Sequence, residues 1–193
     1  MSKPKLNGAD YLLLLLYLNK EEPIMGAVRL TKMMFLFKEE IAPLLKKKGL
    51  ESDKLPEFFA YNFGPFSKDV YEQVELFKNI KFIQVTNVLV HEEMAEVNDY
   101  EEAVFEDDID EFNDDYMLNA DGKYYKYQIL KKGEQYVESE ILPLLTNEQI
   151  TLITQFRNKM TALSPKNILK YVYTKYPEYT KKSQIIEEVL QNG

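Results

Sequence analysis

From Tyr11 to Leu18 the chain reads Tyr-Leu-Leu-Leu-Leu-Leu-Tyr-Leu, eight residues with no charge and no amide. A helix over roughly Ala9 to Asn19, capped by Asn7 or Asp10, has almost no polar face, so other elements must enclose it on nearly every side. The run is far short of the ~20 apolar residues that cross a bilayer. It resembles the apolar part of a secretion signal behind Met1-Ser2-Lys3-Pro4-Lys5, but Asn19-Lys20-Glu21-Glu22 follows where a small-residue cleavage site would stand. The expectation is a central core helix in a cytoplasmic protein without membrane contact.

A chain of 193 residues has room for one such core and a small appendage. After Glu22-Pro23, the apolar positions Val28, Leu30, Met33, Met34, Leu36, Phe37 and Ile41 recur at helical spacing and predict a second helix from Gly26. Pro43 should end or kink it near Ala42, and Lys46-Lys47-Lys48-Gly49 reads as a C-terminal stop. Phe58 to Phe63 predicts an extended segment stopped by Gly64-Pro65, after which Ser67 should cap a helix carrying Val70, Val74 and Phe77 on one stripe. Lys81 to Val90 and Lys123 to Leu130 read as two strands. The rest is helical: Lys131 to Leu144; a helix opened by the capping box Thr146-Asn147-Glu148-Gln149; another started by Ser164-Pro165 and broken at Pro177; and a last one from Thr180 to Leu190. That order predicts an α+β, mainly helical fold, a winged-helix-like core with a two-stranded wing and a C-terminal helical extension. The boundaries expected are 1–145 for the core, with an insertion over 91–121, and 146–193 for the extension.

Charge is distributed unevenly. Fourteen Asp and Glu and no Lys or Arg lie between His91 and Asp121, in the connection between the two strands. Setting them aside from the 32 acids leaves 18 against 24 basic residues, so a mildly basic body carries one strongly acidic connection. A connection beyond ~15 residues is usually functional or disordered. The segment fits a solvated loop, a metal-binding loop, or a strip that docks on a basic partner or mimics DNA. Glu106 to Asp115 lacks the glycine and closing glutamate of a calcium-binding EF-hand loop, which weakens the metal reading. The interleaved Val104, Phe105, Ile109, Phe112 and Tyr116 strengthen the docking reading, since a purely solvating loop has little use for apolar anchors.

Catalysis finds no support. There is no Cys, the only His is His91, and no phosphate loop, nucleotide fingerprint or zinc spacing occurs. No enzyme activity, cofactor or metal is expected. The aromatic clusters Phe58 to Phe66 and Tyr171 to Tyr179 suit a core, although fourteen Tyr without Trp would also suit an interface. Self-association through the last helix stays open. For nucleic acid the candidate cations are Arg29, Lys32, Lys68 and Lys126, with Lys38, Lys46 to Lys48 and Lys54 behind them. Fourteen acids on the wing oppose an approach to phosphates.

Arg29-Leu30-Thr31-Lys32-Met33-Met34-Phe35-Leu36 resembles the leucine-x-Lys-apolar-apolar-aromatic helix of the YwgA-like proteins and of the SocA-type antitoxin (Panacea) domain. Phe59 to Tyr71, with Tyr61-Asn62-Phe63-Gly64-Pro65-Phe66-Ser67-Lys68 at its centre, is similar to the aromatic, Gly-Pro and Ser segment of the same families, and the resemblance spans about Ala9 to Glu138. Tyr171 to Ser183 resembles a tail of some YwgA-like members. The resemblance implies a winged-helix-like domain that holds or presents a protein partner, often a toxin. The chain departs from the pattern at Phe63, where Tyr precedes Gly-Pro, and in its acidic insertion, so the partner's identity does not carry over. The function expected is a protein-interaction module, antitoxin- or adaptor-like, whose partner is a toxin, a nuclease or another subunit; the alternative is a DNA-binding winged-helix regulator. The partner-binding residues expected are Tyr61, Asn62, Phe66, Ser67 and Lys68 on the body, and Phe105, Ile109, Asp110, Phe112 and Tyr116 on the acidic segment.

Overall fold

A computed structural model describes residues 5–89, 123–183 and 185–191. His91 and the acidic segment, with Phe105, Ile109, Asp110, Phe112 and Tyr116, lie outside the described residues. The described chain is α+β and mainly helical.

Strand β1 (Lys5–Asn7) leads into α1 (Gly8–Tyr17) through a capping box: Asn7 Oδ1 accepts from the Asp10 amide at 3.0 Å, and Asp10 Oδ2 accepts from the Asn7 amide at 2.9 Å. As its composition demands, α1 is central, with Tyr11 and Leu12 to Leu15 fully buried. Strand β2 (Ile24–Met25) and Gly26, held at φ 90°, then open α2 (Ala27–Leu36), a helix buried along its whole length. The break expected at Pro43 takes the form of a π turn over Phe37–Ile41 followed by α3 (Ala42–Lys47) with Pro43 in its first turn. The helix runs on through this point, the Ala42 amide donating to Phe37 O, and the wider π turn accommodates the N–H that Pro43 lacks. Gly49, at φ 88°, ends α3: its amide donates to Lys46 O, and the Leu50 amide donates to Leu45 O at 3.0 Å.

Strand β3 (Glu51–Asp53) returns parallel to β1, and the Tyr11 hydroxyl meets Ser52 Oγ at 3.0 Å. Next, β4 (Phe59–Tyr61) and β5 (Gly64–Phe66) form an antiparallel hairpin that pairs Phe59 with Phe66 and Tyr61 with Gly64. This corrects the expectation that Gly64-Pro65 stops the strand: both residues lie inside the returning strand, and Gly64 supplies the positive φ of 84°. Helix α4 (Lys68–Asn79) follows. Ser67 holds its N-cap position, but its hydroxyl makes no capping bond and is buried without a partner. Its side chain is packed inside with no exposed surface.

The expected strand pair is β6 (Ile83–Leu89) and β7 (Lys123–Ile129), antiparallel from Ile83 with Ile129 to Leu89 with Lys123. Strand β2 adds to the other edge of β7, giving the order β2-β7-β6. Helix α5 (Lys131–Tyr136) continues through a π turn (Val137–Ile141) into a 3-10 turn (Leu142–Leu144). The capping box at Thr146 and Gln149 opens α6 (Asn147–Ala162), and Ser164 Oγ accepts from the Asn167 amide to open α7 (Pro165–Lys175). After a 3-10 turn at Pro177–Tyr179, the last helix, α8 (Ile186–Gln191), is shorter than the span expected from Thr180. It packs on this chain through Val189, with Ile185 buried just ahead of it. Residues from Leu6 to Val189 share one apolar core, to which 146–193 contributes Ile153, Phe156, Met160, Ile168, Leu169 and Val172. Among the described residues no helix is long and apolar enough to cross a membrane.

Candidate partner-binding surface

The β4–β5 hairpin gathers five of the residues expected to bind a partner: Tyr61, Asn62 and Phe66 lie in it, and Ser67 and Lys68 join it to α4. Its two-residue turn, Asn62-Phe63, places Phe59 and Phe66 directly opposite each other with ring centroids 5.5 Å apart. Tyr61 lies 5.3 Å from Phe66, and Phe66 stacks on Tyr71 of α4 at 5.3 Å with the planes 23° apart. Edge, tilted and stacked contacts of this kind add rigidity to a large contact area. Phe59 is 41% exposed, while Tyr61, Phe66 and Tyr71 are half-buried, so the row of rings borders solvent.

The body grips this hairpin from beneath. Phe63 is buried; Lys32 of α2, itself buried, donates from Nζ to Pro65 O at 3.0 Å; and Thr31 Oγ1 meets the Tyr71 hydroxyl at 3.2 Å. Gly64 lies against Tyr173 of α7 so closely that a Cβ would come within 2.9 Å of Cε1. Burial pushes the Tyr173 hydroxyl up to about 12, and it stays a neutral partner of Ser183 Oγ at 2.8 Å. The cleft between hairpin and α2 has a volume of only about 20 Å³. That is room for roughly one water, so this face suits contact with a macromolecule better than capture of a small ligand.

A second feature adjoins the chain leading into β4. An open groove of about 570 Å³ between that loop and α4 is walled by Lys54, Leu55, Glu57, Asp69, Glu72 and Leu76. Asp69 Oδ2 accepts from the Glu57 amide at 2.8 Å, and none of the three carboxylates is in an ion pair among the described residues. Leu76 is 52% exposed. Three acids against the single Lys54, around an exposed leucine, give the groove a net negative charge that favours a basic, partly apolar partner.

The cations weighed for nucleic acid separate. Arg29 and Lys32 are buried: Arg29 Nη1 donates to the carbonyls of Met160, Thr161 and Leu163, and Lys32 holds Pro65. Both are thereby corrected from surface cations to internal braces, because α2 has no solvent side for them to occupy. Lys38 and Lys126 are half-buried, the latter in the central strand, whereas Lys46 to Lys48, Lys54 and Lys68 are exposed. Among the described residues no group of three or more His, Asp and Glu could hold a metal ion. Sequence reasoning did not single out Phe59, Leu76 or the groove acids. Phe59 had a signal, since alternation places it on the same strand face as Tyr61.

Away from the hairpin, Glu40 of the first π turn is a polar hub. Its Oε1 accepts from the Tyr171 hydroxyl at 2.8 Å, Lys175 Nζ at 2.9 Å and the Tyr176 hydroxyl at 3.0 Å. Burial pushes the Glu40 carboxyl up, but the bonds from Lys175, Tyr171 and Tyr176 together outweigh it and hold the group below the ordinary glutamate value. A carboxyl lowered on folding stabilises fully above its unfolded pKa of ~4.3, and the contribution is lost as pH falls through the lower folded value. Acid titration should therefore loosen α7 below about pH 4. Glu40→Gln should flatten that part of the stability curve, read by urea unfolding across pH; an unchanged curve would show that the hub carries no net stabilisation.

No family model, no curated protein and no solved structure matches the chain.

Proposed function

We propose that the chain is a protein-interaction module of winged-helix-like build, related to the YwgA-like proteins and the SocA-type antitoxin domain, that holds a basic protein partner such as a toxin or nuclease. The β6–β7 pair, joined at one edge by β2 and resting on helices, supports the winged-helix description. The observation that carries the functional reading is the rigid, solvent-bordering aromatic row Phe59, Tyr61, Phe66 and Tyr71 on a hairpin clamped by two helices. Clamped aromatic rings at a surface are the kind of anchor that dominates interface energetics. The groove acids and the fourteen acids of 91–121 set the partner's charge. DNA binding is the weaker reading, because Arg29 and Lys32 are committed to carbonyls and phosphate contacts supply most of the affinity for DNA.

The test is affinity capture from the native host at moderate salt, followed by titration of the captured protein against Phe59→Ser and Phe66→Ala. Truncating a central anchor costs ~2 kcal/mol or more, so affinity should fall roughly 30-fold with the melting curve little changed for Phe59→Ser. Recovery of the chain alone, or unchanged affinity in both variants, would refute the assignment.

A further inference from the structure

Strand β6 is an outer strand of the three-stranded sheet, and its sequence does nothing to guard that position. Natural proteins blunt a sheet edge with charge, proline, a bulge or shortness, because a row of unpaired amides and carbonyls is a template for another strand. At the opposite edge β2 has only two residues. Strand β6 has seven, Ile83-Gln84-Val85-Thr86-Asn87-Val88-Leu89, with no charge, no proline and no glycine, and its register with β7 runs without a bulge from end to end. The phase of its ladder follows from one bond. The Leu130 amide donates to Phe82 O at 2.8 Å, so Phe82, Gln84, Thr86 and Val88 turn their backbone groups toward β7. On β7 the alternate residues face β2, as the bond from the Gly26 amide to Tyr125 O at 2.8 Å shows. The amides and carbonyls of Ile83, Val85, Asn87 and Leu89 therefore face away from β7, and among the described residues no strand pairs with them. Gln84 and Asn87 are exposed, and Val85, Thr86 and Val88 are half-buried.

We propose that β6 is a homodimer interface, pairing antiparallel with β6 of a second copy across a two-fold axis at Thr86. A two-fold contact brings the same patch of both copies together, so a charged strand would repel itself, and this uncharged one does not. Centring on Thr86 uses all seven residues. Val85 of one copy then meets Asn87 of the other and exchanges both backbone bonds with it, Gln84 meets Val88, and Thr86 meets itself, a favourable cross-strand pair. The antiparallel sense also sorts charge. Leu89 of one copy comes beside Ile83 of the other; behind Leu89 the sequence runs into Glu92 and Glu93, and behind Ile83 stand Lys81 and Lys132, whose Nζ donates to Ile80 O at 3.1 Å. A parallel pair would instead set the two acidic ends together. One strand pair is a small contact, so the dimer is weak and reversible, in the micromolar range. The inference does not depend on the partner-binding reading: no residue of β6 lines the hairpin cleft or the acidic groove, and failure to capture another protein would leave it standing.

Sedimentation velocity of the full chain across the micromolar range reads the dimer, and deuterium exchange reads where it forms. The Thr86 amide, already in the ladder, should exchange slowly at every concentration, whereas the Val85 and Asn87 amides should slow about tenfold as concentration rises. Thr86→Lys and Thr86→Glu each set like charges opposite one another and should weaken the dimer at least ~tenfold, and an equal mixture of the two should restore it as a heterodimer. Asn87→Pro removes an outward amide that β7 does not use, so it should abolish the dimer with little change in the melting of the monomer. A chain that stays monomeric throughout, Val85 and Asn87 amides whose exchange ignores concentration, or Thr86 variants that stay apart when mixed would each overturn the proposal. If Asn87→Pro does not fold, the Thr86 charge pair still decides it.

Discussion

Arg29→Met is expected to lower the unfolding free energy by about 3 kcal/mol, read as a drop in urea midpoint and a melting temperature some 6 to 12 °C lower for a chain of this size. Helix α6 ends without a glycine cap: Leu163 is extended, and the last carbonyls of any helix lack intrahelical donors. Arg29 supplies those donors from another helix. Its Nη1 lies 2.7 Å from Met160 O, 3.0 Å from Thr161 O and 2.6 Å from Leu163 O, while Nε donates to Met25 O at 3.1 Å. The guanidinium also places positive charge at the negative end of the α6 dipole. Methionine fills similar space but leaves these carbonyls facing a core with no donor, at ~1–3 kcal/mol for each group that water cannot reach. A loss under 1 kcal/mol for Arg29→Met would mean that water already serves those carbonyls.

Gly133→Ala is the second large effect, and its sign opposes simple propensity. A glycine inside a helix normally costs ~1 kcal/mol against alanine, which would make the substitution stabilising. Gly133, however, is buried in the first turns of α5 against the end of the strand pair. A Cβ there would lie well inside contact distance of the Phe82 carbonyl oxygen and 3.0 Å from Ile129 Cγ1. The Phe82 carbonyl is fixed because it accepts from the Leu130 amide at 2.8 Å, the bond that ties the entry to β6 to the exit from β7. With backbone on one side and a buried isoleucine on the other, neither neighbour can give cheaply. A destabilisation of about 3 kcal/mol is expected, the upper part of the range for overpacked sites. Thermal melts of Gly133→Ala check it; any rise in stability would mean that α5 can slide away from the sheet.

Most helix boundaries that local chemistry sets were legible from sequence: of the two caps expected for α1, Asn7 holds the position and Asp10 answers it from the first turn, and Thr146 with Gln149, Ser164-Pro165 and the Lys-Gly stop before Leu50 act as expected, whereas Ser67 makes no capping bond. So was the β6–β7 pair, whose β-branched and aromatic residues extend over seven positions in each strand. What escaped was short or non-local. Strands β1, β2 and β3 have two or three residues each, too few to show alternation, and exist only because distant segments supply partners. In the hairpin, Gly64-Pro65 was read as punctuation because Pro cannot donate to a ladder, yet an edge position needs no donation there. Arg29 and Lys32 were misplaced because an amphipathic reading gives every helix a wet face, and α2 has none. Of the body residues expected to bind a partner, the hairpin unites all five, though Ser67 is buried inside it.

Arg29 finds its acceptors more than 130 positions further along the chain. During synthesis a ribosome has therefore made most of the polypeptide before the α6 carbonyls reach this guanidinium, and until then the local Met25 O is its only partner among these carbonyls. Closure of the core awaits translation of Leu163, and a chain truncated ahead of it would emerge with its leucine-rich first helix poorly sheltered.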